Sequence, residues 1–172
     1  RLIQALAQVR REDFLPAGPW WVRDEHDIAG PRRTATDDRC EVYRNYSIAI
    51  DVERQLFNGA PGVVAPLIDA LALEPGQRVL HIGAGRGYYT SILSHMVGAA
   101  GAVIAFEADR ELADAARAAT RPAGNVDVRT GDASQIDGIL DAILVSTGVT
   151  HPLPDWIRTL KLDGRMVVPI TV

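Results

Sequence analysis

A glycine-rich turn between an apolar segment and a helix constrains the fold of this chain more than any other feature. The apolar segment covers residues 78–82; Gly83, Gly85 and Gly87 follow it in a G-x-G-x-G pattern, before helical spacing begins over residues 88–96. Glycine permits tight turns and lets a ligand approach the backbone closely. In open parallel sheets, ligands bind where the strands end. The turn therefore predicts a nucleotide-like ligand at the end of a buried strand.

Strand-like and helical patterns alternate after residue 61. Strand-like runs cover residues 78–82, 102–106, 126–129, 142–145 and 166–170, and helical spacing covers residues 63–71, 88–96, 109–120 and 154–160. Asp109 is the expected N-cap of one helix, and Gly164 is expected in the turn before the last strand. This alternation predicts an α/β fold, a doubly wound and mainly parallel sheet with helices on both faces. The length of 172 residues fits one compact domain.

The segment before residue 61 has a different character. Residues 1–11 have an apolar face at helical spacing, residues 23–45 are polar and charged, and residues 46–52 contain a short strand-like run. We expect an N-terminal helix and then a long loop, which is either solvated surface or a lid over the site. Residues 1–60 would form the substrate side of the protein, and residues 61–172 its ligand-binding core.

The polar residues at the strand ends indicate which ligand binds. A dinucleotide fingerprint, G-x-G-x-x-G, requires glycine where this chain has Tyr88. Glu107 ends the second strand, where a carboxylate can accept hydrogen bonds from both ribose hydroxyls, and Asp132 follows the third strand, where a carboxylate can accept one from an adenine amino group. The G-x-G-x-G spacing resembles the first motif of class I methyltransferases. Together these features predict S-adenosylmethionine as the cofactor.

Cofactor contacts are expected from the glycine turn, from the end of the second strand and from the turn after the third strand. The expected residues are His81, Gly83, Ala84, Gly85, Gly87, Tyr88, Glu107, Ala108, Gly131, Asp132 and Ala133. No metal is expected, because the one cysteine and the four histidines lack metal-ligand spacing.

Several segments resemble the protein-L-isoaspartate O-methyltransferase family. They are residues 79–89 (VLHIGAGRGYY), the pair Gly131-Asp132, residues 141–145 (DAILV), residues 160–169 (LKLDGRMVVP) and residues 13–16 (DFLP). The resemblance implies a Rossmann-like class I methyltransferase fold in which Gly83, Gly85, Gly87, Glu107 and Asp132 contact the cofactor. It also implies methyl transfer to the carboxylate of damaged isoaspartyl residues in proteins and peptides.

Three departures from the family pattern bear on activity. The family's active-site serine, in a Thr-Ile-Ser-x-Pro segment, falls on Gly59, and Asn58 is the candidate for a substitute polar group. The family's acidic residue two places before the first glycine is His81 here, and a neutral imidazole both donates and accepts. The family normally adds a terminal pair of strands after the fifth strand, so we expect either that this chain is a fragment or that something else, such as a dimer partner, completes the exposed sheet edge.

The sequence favours an O-methyltransferase that acts on a carboxylate. A carboxylate is already ionised at neutral pH, whereas a hydroxyl or amine acceptor usually needs a general base. No histidine–carboxylate pair is evident, although His26 or His151 could approach the site in three dimensions. The alternatives are a methyltransferase of another peptide or of a natural-product intermediate, and a cofactor-binding module that has lost catalysis. A nicotinamide dehydrogenase is disfavoured by Tyr88.

Composition limits the partners that we expect. The net charge of −4 lacks the broad basic footprint of a nucleic-acid binder. No apolar run reaches the roughly 20 residues that span a membrane. The single cysteine, Cys40, cannot form an intrachain disulfide and suits a reducing compartment. We therefore expect a cytoplasmic protein whose methyl acceptor is a peptide, a protein or a small molecule.

Overall fold

A computed structural model describes residues 1–24 and 29–171. Its N-terminal part contains helix α1 (Leu2–Gln8), strands β1 (Trp21–Arg23), β2 (Arg32–Arg33), β3 (Ser47–Asp51) and β4 (Leu56–Asn58), and 3₁₀ turns at Arg11–Phe14 and Arg39–Tyr43. The four strands form an antiparallel sheet in the order β2-β1-β3-β4. The predicted strand over residues 46–52 is confirmed as β3.

The predicted first helix is too long. It ends at Gln8 rather than at Arg11, because Val9 has extended backbone angles and Arg11 begins a 3₁₀ turn. The side chain of Arg11 then points inward and is completely buried. Apolar spacing cannot reveal this ending, because the helix stops where an arginine finds buried acceptors elsewhere in the chain.

The prediction of one long loop over residues 23–45 is also wrong for the residues that the structure describes. Within this segment, β2 pairs with β1. Asp38 caps a 3₁₀ turn, and its carboxylate accepts a hydrogen bond from the Cys40 N–H at 2.9 Å. Two adjacent arginines form a strand here because a partner strand supplies the hydrogen bonds, and sequence periodicity does not report such a partner. Residues 25–28, including His26, lie outside the described residues.

The rest of the chain alternates as predicted. Its elements are α2 (Pro61–Ala70), β5 (Arg78–Ile82), α3 (Tyr88–Val97), β6 (Ala102–Glu107), α4 (Arg110–Thr120), β7 (Val126–Thr130), β8 (Leu140–Val145), α5 (Pro154–Thr159) and β9 (Leu160–Val167). The five strands are parallel and lie in the order β7-β6-β5-β8-β9. Asp109 caps α4 as predicted, since its side chain accepts from the Leu112 N–H. The strand order reverses between β5 and β8, where ligand crevices form.

Helices cover both faces of the parallel sheet. Val79 of β5 faces the cluster that α1, α2 and α3 form on one side. The next residue, Leu80, faces a second cluster that contains Trp156 of α5. Each fully buried aliphatic side chain contributes about 1.5–3 kcal/mol to folding. The predicted α/β fold is confirmed, and its strands form a rigid base for the loops at their carboxyl ends.

The last strand differs from its prediction. It begins at Leu160, directly after α5, rather than at residue 166. Leu140 pairs with Leu160 but Ala142 pairs with Arg165, so five residues of β9 span what two residues of β8 span. Gly164 lies in this bulge rather than in a turn before the strand. A Cβ atom there would come within 3.0 Å of the Asp141 carbonyl oxygen, which explains the glycine.

Candidate functional site

A cavity of about 530 Å³ lies over the carboxyl ends of β5, β6 and β7. We call it the first cavity. Three strand-end segments that the sequence singled out contribute to its lining, namely Gly83 with Gly85, Glu107 with Ala108, and Gly131 with Asp132. Small-molecule sites typically have volumes of roughly 300–1,000 Å³. The first cavity therefore has the size and position of a ligand site of an open parallel sheet.

The glycine turn is closely packed against the next strand end. Gly83 has φ +79°, and a Cβ atom there would lie 3.3 Å from backbone atoms of Ser146 and Thr147. The N–H groups of Gly83 and Ala84 both donate to the Phe106 carbonyl, at 2.9 and 3.0 Å. A left-handed conformation and a close backbone neighbour together require glycine at position 83. The turn thus presents bare backbone to the first cavity.

Glu107 connects the glycine turn to the end of β6. One carboxylate oxygen accepts from the Gly85 N–H at 2.7 Å, and the other accepts from the Asp109 N–H at 3.1 Å. A carboxylate has about four lone-pair positions, so two remain after these bonds. Glu107 is therefore held rigidly in the cavity wall and still has capacity to accept hydrogen bonds from a ligand.

Asp132 is an exposed carboxylate at the end of β7. Its Oδ1 accepts from the Ser134 N–H at 3.0 Å. Hydrogen bonds from Ser134 hold the pKa of the Asp132 carboxyl below its ordinary value. Asp132 is therefore ionised at neutral pH, and it lines the cavity as a hydrogen-bond acceptor.

The other predicted cofactor residues are not all at the first cavity. His81 and Ala84 line a neighbouring cavity instead. Gly87 packs against α4, where a Cβ atom would lie 3.2 Å from Ala116 Cα. Tyr88 is buried edge-to-face against Phe14. Ala133 is not in the described lining of either cavity, and its carbonyl accepts a hydrogen bond from the Trp156 indole N–H. Roles in cofactor binding remain predictions for these residues.

Two further walls of the first cavity were not predicted from the sequence, apart from the suggestion that His151 could approach the site. The β3–β4 hairpin contributes Ile50, Leu56 and Phe57. The loop after β8 contributes residues of the segment 146–153. Ser146 had a recognisable signal, because it follows β8 as Gly83 follows β5, at the same edge of the sheet. The hairpin had none, because its position depends on folding of the N-terminal part over the core.

A second cavity of about 240 Å³ adjoins the first. Residues common to the two linings are Ile50, Phe57, Gly83, Gly85 and Ser146. The remaining lining is mostly apolar and includes Val63, Val64, Leu67, Leu144 and Pro169. The two cavities therefore meet across the glycine turn and Ser146.

Gly59 and Asn58 both line the second cavity, at the place where the resemblance puts an active-site serine. The Asn58 Oδ1 atom accepts from Nε and Nη2 of Arg11, at 3.2 and 2.9 Å. Arg11 also donates to the carbonyls of Val42, Tyr46, Asn58 and Gly59. The side-chain oxygen of Asn58 is therefore committed to a buried guanidinium. This arrangement gives Asn58 a structural role in fixing the cavity wall.

His81 lies beneath the glycine turn and is 1% exposed. Its Nδ1 is 2.8 Å from Thr90 Oγ1, and its Nε2 is 2.9 Å from Ser146 Oγ. Burial lowers the pKa of His81 to about 4. The ring is therefore neutral at physiological pH, with one nitrogen that donates and one that accepts.

His151 and His26 are the two other histidines that were expected to be able to approach the site. His151 lines the first cavity and lies 2.9 Å from Thr150 Oγ1 through its Nδ1. His26 falls outside the described residues. Within residues 1–24 and 29–171, no group of three or more His, Cys, Asp or Glu residues is arranged to hold a metal ion.

Comparisons with known proteins agree with this geometry. Residues 29–172 match the family model described as protein-L-isoaspartate(D-aspartate) O-methyltransferase. Protein-L-isoaspartate O-methyltransferase 2 of Polaromonas sp. (strain JS666) is 31% identical over 175 residues, which cover 99% of this chain and 72% of that protein. Protein-L-isoaspartate O-methyltransferase 1 of Rhodopseudomonas palustris (strain HaA2) is 43% identical over 116 residues, 64% of this chain and 46% of that protein.

Solved structures give the same result for the fold. A protein-L-isoaspartate O-methyltransferase structure superposes with a TM-score of 0.73 at 25% identity, and the match covers 98% of this chain and 50% of that one. A Plasmodium falciparum protein-L-isoaspartate O-methyltransferase, solved with S-adenosyl-L-homocysteine, gives a TM-score of 0.75 at 18% identity, covering 99% of this chain and 76% of that one. The chain belongs to the protein-L-isoaspartate(D-aspartate) O-methyltransferase family, a family of S-adenosylmethionine-dependent methyltransferases.

Proposed function

We propose that this chain binds S-adenosylmethionine in the first cavity and transfers its methyl group to the carboxylate of an isoaspartyl residue in the second cavity. The observation that carries the proposal is the junction of the two cavities at Gly83, Gly85 and Ser146. One cavity has carboxylates suited to a nucleoside, and the other is a small, largely apolar recess. A methyl group at the junction would face both.

The residues of the first cavity fit this cofactor. Gly83 and Gly85 line this cavity with backbone alone, which lets a ligand approach the chain closely. Glu107 retains acceptor capacity for ribose hydroxyls, and Asp132 is an ionised acceptor for an adenine amino group. Ile50 and Phe57 place apolar side chains at the junction, which would help to keep water away from the reacting atoms. A water-excluding site strengthens the electrostatic interactions within it.

The cofactor supplies a methyl group on a positively charged sulfur. A carboxylate oxygen of the acceptor forms the new bond to the methyl carbon as the carbon–sulfur bond breaks, and the electron pair of that bond remains on sulfur. The products are a methyl ester and a neutral thioether, so charge and atoms balance without a proton. The task of the protein in this step is to align the reacting atoms and keep water out.

The lining of the second cavity supports an acceptor that is already ionised. Its described titratable side chains are His81 and Tyr89. Both ring nitrogens of His81 already have hydrogen-bond partners, and the Tyr89 hydroxyl donates to the Gly59 carbonyl at 2.6 Å. Burial also raises the pKa of Tyr89. Neither side chain is placed to take a proton from an alcohol or amine, whereas a carboxylate needs no such base.

A second acceptor class has one observation in its favour. Gly59 carries no hydroxyl, and the neighbouring lining from Val63, Val64 and Leu67 is apolar. Such a recess would also accept a different peptide or a natural-product carboxylic acid. A module that binds the cofactor without transferring its methyl group is the remaining alternative.

Two measurements distinguish these functions. Calorimetry with S-adenosylmethionine and with NAD tests the cofactor, and binding of the first alone is expected. Purified chain is then incubated with tritiated S-adenosylmethionine and either an isoaspartyl peptide or the same peptide with normal aspartate. We expect base-labile methyl esters on the isoaspartyl peptide alone. Transfer to neither peptide, despite cofactor binding, would contradict the proposed acceptor.

We also propose a cytoplasmic location and a protein or peptide acceptor. Cys40 is a free, exposed thiol, which suits a compartment where thiols stay reduced. Among the described residues, no helix is long and apolar enough to cross a bilayer. Cell fractionation followed by immunoblotting tests the location, and recovery in the membrane fraction would contradict it.

A further inference from the structure

Ser146 lies at the junction where the proposed reaction occurs. It follows β8 directly, its N–H donates to the Ile82 carbonyl at 2.8 Å, and it lines both cavities. The residue is exposed, although its hydrogen-bond partner His81 is almost completely buried. Ser146 therefore offers a hydroxyl from a fixed backbone position, in a lining where Gly59 offers none.

The proton of the Ser146 hydroxyl can be assigned from its neighbours. Thr90 is 0% exposed, and in the part of the chain that the structure describes, His81 Nδ1 is the partner of its hydroxyl, at 2.8 Å. Thr120 and Thr159 instead donate to carbonyls four residues back. A buried hydroxyl proton without an acceptor is costly, so Thr90 donates to Nδ1.

This assignment fixes the tautomer of His81. The ring is neutral, and Nδ1 accepts from Thr90, so the ring proton is on Nε2. Nε2 then donates to Ser146 Oγ across 2.9 Å. Because the hydroxyl oxygen of Ser146 accepts this bond, its own proton is free to point into the cavities.

The histidine at position 81 therefore affects the Ser146 hydroxyl differently from the acidic residue of the family pattern. A carboxylate there, as in the family pattern, is an acceptor only and would take the Ser146 proton for itself. It would also place a negative charge beneath the acceptor carboxylate. The neutral imidazole does neither, so it leaves a hydroxyl proton available in a lining where position 59 offers none.

We propose that the Ser146 hydroxyl donates a hydrogen bond to the acceptor carboxylate and orients it toward the methyl group, and that His81 is the positioning residue that keeps this proton available. The inference rests on the proposed function. It adds a specific donor for the acceptor, and it identifies Ser146 rather than Asn58 as the substitute for the missing serine.

The test uses the complete chain, tritiated S-adenosylmethionine and an isoaspartyl peptide. For Ser146→Ala we expect the KM for the peptide to rise roughly ten- to hundred-fold, the loss typical of a hydrogen bond to a charged group. The Kd for S-adenosylhomocysteine should change by less than about two-fold, which is far smaller than the expected rise in the peptide KM. Ser146→Thr keeps the hydroxyl and should restore most of the lost affinity for the peptide.

His81→Asp tests the positioning role, and Ser94→Ala is the matched control. His81→Asp should raise the peptide KM as Ser146→Ala does, whereas His81→Gln keeps a donor toward Ser146 and should have a smaller effect. Ser94→Ala also removes a hydroxyl that makes a hydrogen bond, in this case to Asn125. Ser94 lies in the described lining of neither cavity, so the peptide KM of this variant should match that of wild type. Thermal unfolding and S-adenosylhomocysteine binding identify any variant that has failed to fold.

The outcomes separate this proposal from the one on which it rests. If the wild-type chain does not methylate the isoaspartyl peptide, the proposed function is wrong and this inference falls with it. If wild type is active and Ser146→Ala has the wild-type peptide KM, this inference alone is wrong. A Ser146→Ala variant that loses cofactor affinity with an unchanged peptide KM assigns the hydroxyl to the cofactor and also overturns it.

Discussion

Val64 fills the space that a side chain at position 59 would need. A Cβ atom on Gly59 would lie 2.9 Å from Val64 Cγ2, closer than such atoms pack in proteins. The chain therefore differs from the family pattern in shape as well as in the missing hydroxyl. Val64 belongs to α2, and its branched side chain has little rotamer freedom in a helix.

Reintroducing the serine requires a change at both positions. We expect Gly59→Ser to lower the free energy of unfolding by about 1–3 kcal/mol through overpacking. Gly59→Ser with Val64→Ala should be more stable than the sum of the two single changes, because the alanine removes the clash. Urea unfolding of the four proteins measures this coupling. Strict additivity would contradict the steric account.

Arg11 organises the wall of the second cavity, and its removal should be costly. Its guanidinium donates to Asn58 Oδ1 and to four backbone carbonyls. Arg11→Met leaves buried acceptors without donors, and each unsatisfied acceptor lowers the free energy of unfolding by about 1–3 kcal/mol. We expect at least about 3 kcal/mol of destabilisation in urea. Arg10→Met is the control, because Arg10 is half exposed and pairs with Glu12 at the surface. Equal losses of unfolding free energy in the two variants would contradict the structural role of buried Arg11.

Arg54 links the β3–β4 hairpin to the start of α4. It pairs with Asp51 at 2.7 Å and also with Asp109, the N-cap of α4. The hairpin forms a wall of the first cavity, so Arg54→Ala should speed dissociation of S-adenosylhomocysteine. An exposed ion pair stabilises by about 0–1 kcal/mol, so the dissociation rate should rise by at most about five-fold.

Stopped-flow measurement at low and high salt tests this link. The effect of Arg54→Ala should shrink as salt screens the pair. Arg158→Ala, which breaks an exposed pair with Asp155 in α5, should leave the dissociation rate unchanged. A difference between Arg54→Ala and wild type that does not depend on salt would argue against an electrostatic link.

His81 should make stability depend on pH in the acid range. Its folded pKa is about 4, below the ordinary value of 6.5, because burial disfavours the charged ring. The unfolded chain therefore binds the proton first as the pH falls. This contribution is complete above pH 6.5 and is lost progressively toward pH 4.

The loss between pH 7.5 and pH 5 should be about 2 kcal/mol from this one group. His81→Gln has no titrating group at this position, so its stability should fall less over the same interval. Urea unfolding of both proteins at the two pH values gives the difference. Parallel pH profiles would show that His81 is not buried in its neutral form.

Much of the core could be predicted from sequence because its signals are local. The apolar run of β5 and the three glycines after it indicate a strand end that ligands approach, and Glu107 and Asp132 occupy the equivalent ends of β6 and β7. The parallel arrangement then places all three segments beside one cavity. The alternation of strands and helices was sufficient to predict this.

The remaining features depend on contacts between distant parts of the chain. Phe57 reaches both cavities because the β3–β4 hairpin folds over the sheet. Gly87 satisfied the glycine pattern, yet it packs against α4. The bulge in β9 depends on pairing with β8, and no local pattern specifies it. Proton positions around His81 require its two neighbours, Thr90 and Ser146, which are 9 and 65 residues away in sequence.

The central claim is methyl transfer from S-adenosylmethionine to an isoaspartyl carboxylate, and one assay tests it directly. Tritiated cofactor is incubated with the chain and with two peptides that differ only in an isoaspartyl or a normal aspartyl linkage, and volatile methanol is counted after treatment with base. We predict counts from the isoaspartyl peptide that saturate with peptide concentration, and background counts from the aspartyl peptide. Background counts from both peptides, from protein that binds S-adenosylhomocysteine, would contradict it.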